Sequence, residues 1–114
     1  MRVLHVIARM NVGGTATYIA NLIHDLEKLE VSNLLVMGNV PKGEVEDSVI
    51  SSLKYQRIDS LSRELSFTRD RKAGKEIERV IESFKPDLIH THTFKAGFLV
   101  RLRRRLLTPS FSRP

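Results

Sequence analysis

Two short polar stretches carry residue types that bind anionic or hydroxyl-bearing ligands. The first contains a glycine pair, Gly13 and Gly14, between the apolar residues of 3–8 and a helical pattern. Glycine adopts positive φ without strain and lets a ligand approach the backbone, and the free N–H groups at a helix start attract phosphate. The pair favours a phosphate-binding turn, with a plain strand-to-helix turn as the structural alternative.

The glycine pair does not match the common nucleotide-binding motifs. Neither G-x-G-x-x-G nor G-x-x-x-x-G-K-[ST] is present, and the loop contains no lysine that could neutralise a triphosphate. No acidic residue ends the second predicted strand, where "LLVMGN" stands, which argues against a nicotinamide oxidoreductase. The motif alone therefore leaves the phosphorylated ligand unspecified.

The second polar stretch is "HTHTFKAG", residues 90–97. In an extended chain His90 and His92 point to the same side. They supply at most two metal ligands, and we expect no third histidine, cysteine or carboxylate nearby, so the spacing does not predict a metal site. We interpret His90 as a core residue. His92, Thr93 and Lys95 are candidates for contact with a ligand hydroxyl or phosphate.

The rest of the chain offers few residues for metal binding or nucleophilic catalysis. There is no cysteine, which excludes a thiolate metal site and a cysteine nucleophile and fits a reducing compartment. We interpret His5, inside the first predicted strand, as structural and His24, on the polar side of a helix, as solvated. We expect no bound metal and no cofactor.

The formal net charge of +6 is concentrated at the C-terminal end. Residues 1–94 are balanced, whereas residues 95–114 contain no acidic residue. Their basic residues are Lys95, Arg101, Arg103, Arg104, Arg105 and Arg113. A surface built for nucleic acid would spread its cations over several elements, so we expect no specific nucleic-acid partner. The arginines instead suit an anionic membrane surface or a solvated helix face.

Length and hydropathy limit the domain organisation and location. A chain of 114 residues holds one domain at most. It has no apolar stretch near the ~18 residues of a membrane span, and its N-terminus lacks the pattern of a signal peptide. We expect a cytoplasmic protein, with the inner membrane surface as an associated location.

Strand and helix patterns alternate along the chain. They predict strands over 2–8, 33–38, 54–58 and 87–92, and helices over 15–30, 70–84 and 93–107. This alternation predicts an α/β fold: a Rossmann-like, mainly parallel sheet of about four strands flanked by helices. In the common order 3-2-1-4 the first and fourth strands are neighbours, so both polar loops would line one crevice.

Two segments in register carry a resemblance to a known family. The segments "MRVLHVIARMNVGGTATYIANLI" and "FKPDLIHTHTFKAGFLVRL" resemble the N-terminal domain of retaining glycosyltransferase family 4, enzymes of the GT-B fold that build bacterial surface polysaccharides and related glycans. The resemblance covers about residues 1–102. It implies two Rossmann-like domains face to face in the full-length enzyme. The N-terminal domain would hold a glycan or lipid-linked acceptor, and the C-terminal domain the nucleotide-sugar donor.

The resemblance also implies two sets of binding residues. The first would help to hold the donor diphosphate from across the cleft and consists of Arg9, Asn11, Gly13, Gly14 and Thr15. The second would face the acceptor or the sugar and consists of His92, Thr93 and Lys95. No residue of this chain matches a catalytic position of the family.

The sequence departs from the family after the fourth strand. The family continues into a fifth strand and a Phe-His-Gly loop, whereas here "RLRRRLLTPSFSRP" follows. The donor domain with its E-x7-E glutamate pair has no counterpart. We therefore expect a truncated product: a partial acceptor-side domain over 1–107 and an irregular tail over 108–114, inactive alone and prone to self-association through an exposed sheet edge.

A different class of function stays open at this point. The chain would then be a stand-alone module that binds a phosphorylated small molecule in the crevice. Its basic last helix would contact anionic membrane or another protein.

Overall fold

The computed structural model describes residues 1–61 and 67–92, without the side chains of 67–69. These residues form strands β1 (Arg2–Ile7), β2 (Ser32–Met37), β3 (Tyr55–Arg57) and β4 (Leu88–Thr91), the helices α1 (Gly14–Lys28) and α2 (Phe67–Phe84), and a 3₁₀ helix (Ser48–Ser52). The predicted helix over 93–107 and the tail lie outside the described residues.

The four strands form one parallel sheet in the order β3-β2-β1-β4. The predicted α/β class and strand order are therefore confirmed. Because all strands run in the same direction, their carboxyl ends meet at one edge, and the glycine turn and the start of the second polar loop leave from neighbouring strands. In the described part of the chain β4 is an edge strand. Association of chains through that edge stays a prediction.

The sheet separates two apolar layers. Alternate residues of a strand face opposite sides, so Leu4 and Val6 pack towards α2, whereas Ile7 packs towards α1. The α1 layer also receives Leu35 and Met37 of β2. Burial of such side chains is the main source of stability of a fold of this size.

The element bounds differ from the predicted ones by at most three residues. Helix α2 ends at Phe84, as Pro86 predicts, because a proline disfavours helical backbone in the residue before it. The helix starts at Phe67, three residues before the predicted start. The 3₁₀ helix lies between the second and third predicted strands, where no helix or strand was predicted. It is capped by Asp47, whose carboxylate accepts a hydrogen bond from the Val49 N–H at 3.0 Å.

Gly38 follows β2 at the point where the backbone comes closest to its neighbours. A Cβ at this position would lie 2.0 Å from the carbonyl oxygen of Leu61 and 2.5 Å from that of Ala8. The Gly38 N–H donates to the same Ala8 carbonyl at 2.8 Å. Only glycine allows this approach, which ties the carboxyl ends of β1 and β2 together.

None of the described helices is both long and apolar enough to cross a membrane.

Candidate functional site

The glycine turn connects β1 to α1 and leaves the helix start accessible. Gly13 is the N-cap residue with φ 150, in the region that side chains rarely adopt, whereas Gly14 has an ordinary φ. The expected need for positive φ therefore applies to Gly13. No side chain of the described residues caps the helix, and its first turn contains no acidic residue. A Cβ on either glycine would meet no atom of the described residues within 4 Å, so none of them fills the space beside the turn.

Arg9 and Asn11 lie in the loop before the glycine turn and share one partner. Arg9 Nη1 donates to Oε2 of Glu44 at 3.2 Å, and the Asn11 side-chain amide donates to Oε1 of the same carboxylate. The sequence predicted these two residues near an anion, and the structure brings them together around a carboxylate of the chain itself. A diphosphate at this place would have to displace Glu44.

Backbone hydrogen bonds hold the loop of Glu44 against the loop of Arg9. The Val12 N–H donates to the Val45 carbonyl at 2.9 Å, and the Asp47 N–H donates to the Met10 carbonyl at 2.8 Å. These two bonds flank the short segment that leads into the glycine turn. The turn is therefore positioned by the loop after β2 as well as by β1.

Arg57 at the end of β3 anchors the same loop from the other side. Its two terminal nitrogens donate to the two carboxylate oxygens of Glu46 at 2.8 and 3.0 Å, and Nη1 also donates to the Asn39 side-chain oxygen at 2.9 Å. The hydrogen bonds to Glu46 are the main cause that raises the pKa of Arg57. This two-point ion pair links the carboxyl end of β3 to the loop after β2.

A cluster of three histidines lies across β1 and β4. The parallel register places His5 directly beside His90, and His92 follows two residues later on the same side. Ring centroids are 3.9 Å apart for His90 and His92, 5.7 Å for His5 and His90, and 6.0 Å for His5 and His92. The expectation that no third ligand stands near the histidine pair is therefore wrong. The sheet supplies His5.

The histidine cluster is unfavourable for positive charge. Burial, followed by repulsion from His90 and then from His5, lowers the pKa of His92 to about 4. Burial also lowers the pKa of His5, against the raising effect of its hydrogen bond to Asn33. His5 is fully buried, whereas the other two rings are half-buried. The predicted structural role of His5 agrees with its burial, and the predicted burial of His90 is only partial.

The other predicted site residues divide into two groups. Thr15 is exposed in the first turn of α1, next to the glycine turn. His92 starts the loop after β4, and its backbone N–H donates to the Val6 carbonyl at 3.0 Å. Thr93 and Lys95 lie outside the described residues.

Four residues with a role here were not predicted from the sequence: Glu44, Glu46 and Arg57 at the carboxyl edge of the sheet, and Asn33 near the start of β2. Both glutamates lie in the polar stretch "NVPKGEVEDS", which has the composition of an ordinary loop and no local signal for a site. The contact of His5 with His90, by contrast, could have been predicted from the sequence. Two strands expected to be neighbours each contain a histidine near their middle.

Comparison with known proteins tests the resemblance. No match to the chain was found among curated proteins. A family model described as Glycosyltransferase Family 4 matches residues 12–111, which include both the glycine turn and the histidine-containing loop after β4. Since this match extends over most of the 114 residues and agrees with the parallel α/β sheet, the chain belongs to Glycosyltransferase Family 4.

Proposed function

We propose that the chain is the acceptor-side, N-terminal domain of a glycosyltransferase. The enzyme would transfer a sugar from a nucleotide-sugar donor to a glycan or lipid-linked acceptor. The family supports a sugar donor and a sugar acceptor in general. The donor diphosphate lies against the glycine turn, and the acceptor lies near the loop after β4.

One observation carries the diphosphate part of this proposal. Among the described residues, the start of α1 has no side-chain cap, no acidic residue in its first turn and nothing within 4 Å of a Cβ built on either glycine. A helix start carries a partial positive charge, and its first N–H groups lack partners within the helix. A diphosphate oxygen supplies those partners. Arg9 adds one full positive charge once Glu44 has moved away.

Glycosyl transfer also requires groups on the other side of the cleft. The departing diphosphate must be neutralised while the acceptor hydroxyl is held in line with the breaking bond. In the family the donor-binding domain performs most of the first task. We infer that the 114-residue chain by itself transfers no sugar, and that it binds nucleotide sugars no better than about millimolar, because one helix start and one arginine make few contacts.

A radiolabelled nucleotide-sugar assay tests the catalytic part. The chain alone should give no turnover above background, and fusion to a donor domain of the family, including the fifth strand, should restore transfer. Gly13→Val should then lower the restored rate at least tenfold, because its side chain is strained at φ 150 and stands where the diphosphate approaches. Gly43→Val is the matched control, because it adds the same side chain at another positive-φ glycine (φ 90) outside the predicted diphosphate set, and it should retain most of the rate. Multiple turnovers by the chain alone would refute the half-enzyme assignment.

A binding experiment tests the diphosphate site without catalysis. Pyrophosphate added to ¹⁵N-labelled chain should shift the backbone amides of residues 13–16 first. If the largest shifts occur elsewhere, for example on the exposed side of α2, the glycine turn is not the diphosphate site.

A further inference from the structure

We propose that His5, His90 and His92 form a binding site for a divalent transition metal ion, with zinc as the ion that fits best. Each imidazole offers one nitrogen, and the three nitrogens all lie within 4.8 Å of one another. The site joins β1 to the edge strand β4 at the start of the loop after β4. Metal binding goes beyond sugar transfer and does not depend on the proposed function.

The hydrogen bonds of Asn33 determine which nitrogen of His5 is free. Asn33 Nδ2 donates to the Val31 carbonyl at 2.9 Å, and a carbonyl oxygen can only accept, so this contact identifies the amide nitrogen. The Asn33 side-chain oxygen therefore faces Nε2 of His5 at 2.9 Å and accepts its proton. In the neutral ring Nδ1 is then the unprotonated nitrogen with an available lone pair.

That lone pair is buried and unused among the described residues. His5 is 0% exposed, and its Nδ1 has no hydrogen-bond partner there. His92 Nε2 is likewise buried without a partner in this part of the chain. Buried polar atoms are nearly always satisfied, so two nitrogens of one cluster that lack a partner among the described residues favour a shared ligand.

The hydrogen bond from His5 to Asn33 is also what a metal-binding histidine requires. Histidines that bind metals with one nitrogen usually donate the other N–H to a carbonyl or carboxylate oxygen, which fixes the ring orientation and the tautomer. Here the donor is Nε2, the acceptor is an amide oxygen, and the amide is itself fixed by Val31. The orientation of His5, one of the three ligands, is therefore already set.

Distances and ligand type favour zinc over alkaline-earth ions. At Zn–N distances of about 2.0–2.1 Å, tetrahedral coordination needs nitrogens about 3.3 Å apart. The nitrogens here are up to 4.8 Å apart. Rotation of the half-buried His90 and His92 rings therefore has to shorten the longest N–N distance by about 1.5 Å. An all-imidazole set suits Zn²⁺, Ni²⁺ or Cu²⁺ and disfavours Mg²⁺ and Ca²⁺. Three protein ligands leave a fourth position for water.

The metal would enter from the open side of β4. Leu88 lies two residues before His90 on the same side of the strand and is 49% exposed, so no described element covers β4 there. Bound metal would link the edge strand to the centre of the sheet through side chains. It would also fix the start of the loop that leads to Thr93 and Lys95.

Titration of tag-free, chelator-treated protein with ZnCl₂ tests the site. We expect one Zn²⁺ per chain with a Kd of about micromolar or tighter, and Co²⁺ should give the intense visible absorption of a tetrahedral complex. MgCl₂ at a hundredfold higher concentration should not compete. A Kd weaker than about 100 μM for Zn²⁺, or equal binding of Mg²⁺, would overturn the proposal.

Variants locate the binding. His90→Gln and His92→Gln should each weaken Zn²⁺ binding at least a hundredfold while the far-ultraviolet circular dichroism stays unchanged, because both side chains are only half-buried. His24→Gln is the matched control, since His24 lies on α1 with Glu27 and Ser52 as partners and should keep full affinity. If His24→Gln weakens binding as much as the other two, or if His90→Gln and His92→Gln both keep full affinity, the three-histidine site is refuted.

Discussion

His5 on β1 donates its Nε2–H to the side-chain oxygen of Asn33 on β2 over 2.9 Å, and both side chains are buried. The bond crosses between adjacent parallel strands and determines the tautomer of His5. It therefore connects the stability of the sheet with the properties of the histidine cluster.

Removal of the Asn33 amide should destabilise the protein. In Asn33→Ala the Nε2–H of His5 loses its acceptor, and we expect a loss of about 1–3 kcal/mol in the free energy of unfolding. Urea unfolding followed by circular dichroism measures this loss. Asn21→Ala, at an exposed position of α1, should change the same quantity by less than about 0.5 kcal/mol. Equal effects of the two substitutions would show that the buried bond contributes nothing specific.

Gly38 should tolerate no side chain. In Gly38→Ala the added Cβ would meet the Leu61 carbonyl oxygen at 2.0 Å, so the strand ends must move apart. We expect a loss of about 3 kcal/mol or more and a lower melting temperature. Gly14→Ala has ordinary φ and open space and should change stability by less than about 1 kcal/mol. A Gly38→Ala variant as stable as Gly14→Ala would contradict the close approach.

Neutralisation of Glu44 should strengthen anion binding near the glycine turn. Glu44→Gln removes the negative charge beside Arg9 and Asn11, and we expect pyrophosphate to bind several-fold more tightly in calorimetric titration at low salt. Stability should change by less than about 1 kcal/mol, because the Glu44 side chain is 43% exposed. The control Glu82→Gln makes the same charge change on the exposed side of α2. If both variants gain equally, only the net charge matters.

The metal-free protein should lose stability in mildly acidic solution. The pKa of His92 falls from 6.5 to about 4 on folding, so between these values the unfolded chain binds more protons than the folded one. Stability from this group is fully present above pH 6.5 and is lost as the pH falls towards 4. We expect the free energy of unfolding to fall by about 2–3 kcal/mol over this range. The groups that face the titrating ring of His92 are His5 and His90.

Urea unfolding at several pH values in the presence of a chelator measures this dependence. His92→Gln should reduce the slope below pH 6.5 without abolishing it, because the pKa of His5 is also lowered by burial, whereas His24→Gln should leave the slope in place. An unchanged slope in His92→Gln would assign the acid sensitivity to other groups.

The sequence by itself determined the order of the elements, the parallel α/β class and the place of the glycine turn. These features follow from local patterns: apolar runs predict strands buried on both sides, and apolar residues at helical spacing predict helices. Gly13 and Gly14 mark the start of α1, and Pro86 marks the end of α2. The 3₁₀ helix Ser48–Ser52 was not predicted because so short a helix leaves no periodic pattern.

Only the tertiary structure decided which distant side chains meet. The pairing of His5 with His90 depends on the register between β1 and β4, and a shift of one residue would turn the histidines to opposite sides of the sheet. Arg9 and Glu44 are 35 residues apart in the sequence, and their contact likewise depends on how their two loops pack against each other. Register and loop packing are set by the fit of the whole core and by backbone bonds between strand ends, and no local stretch of sequence contains that information.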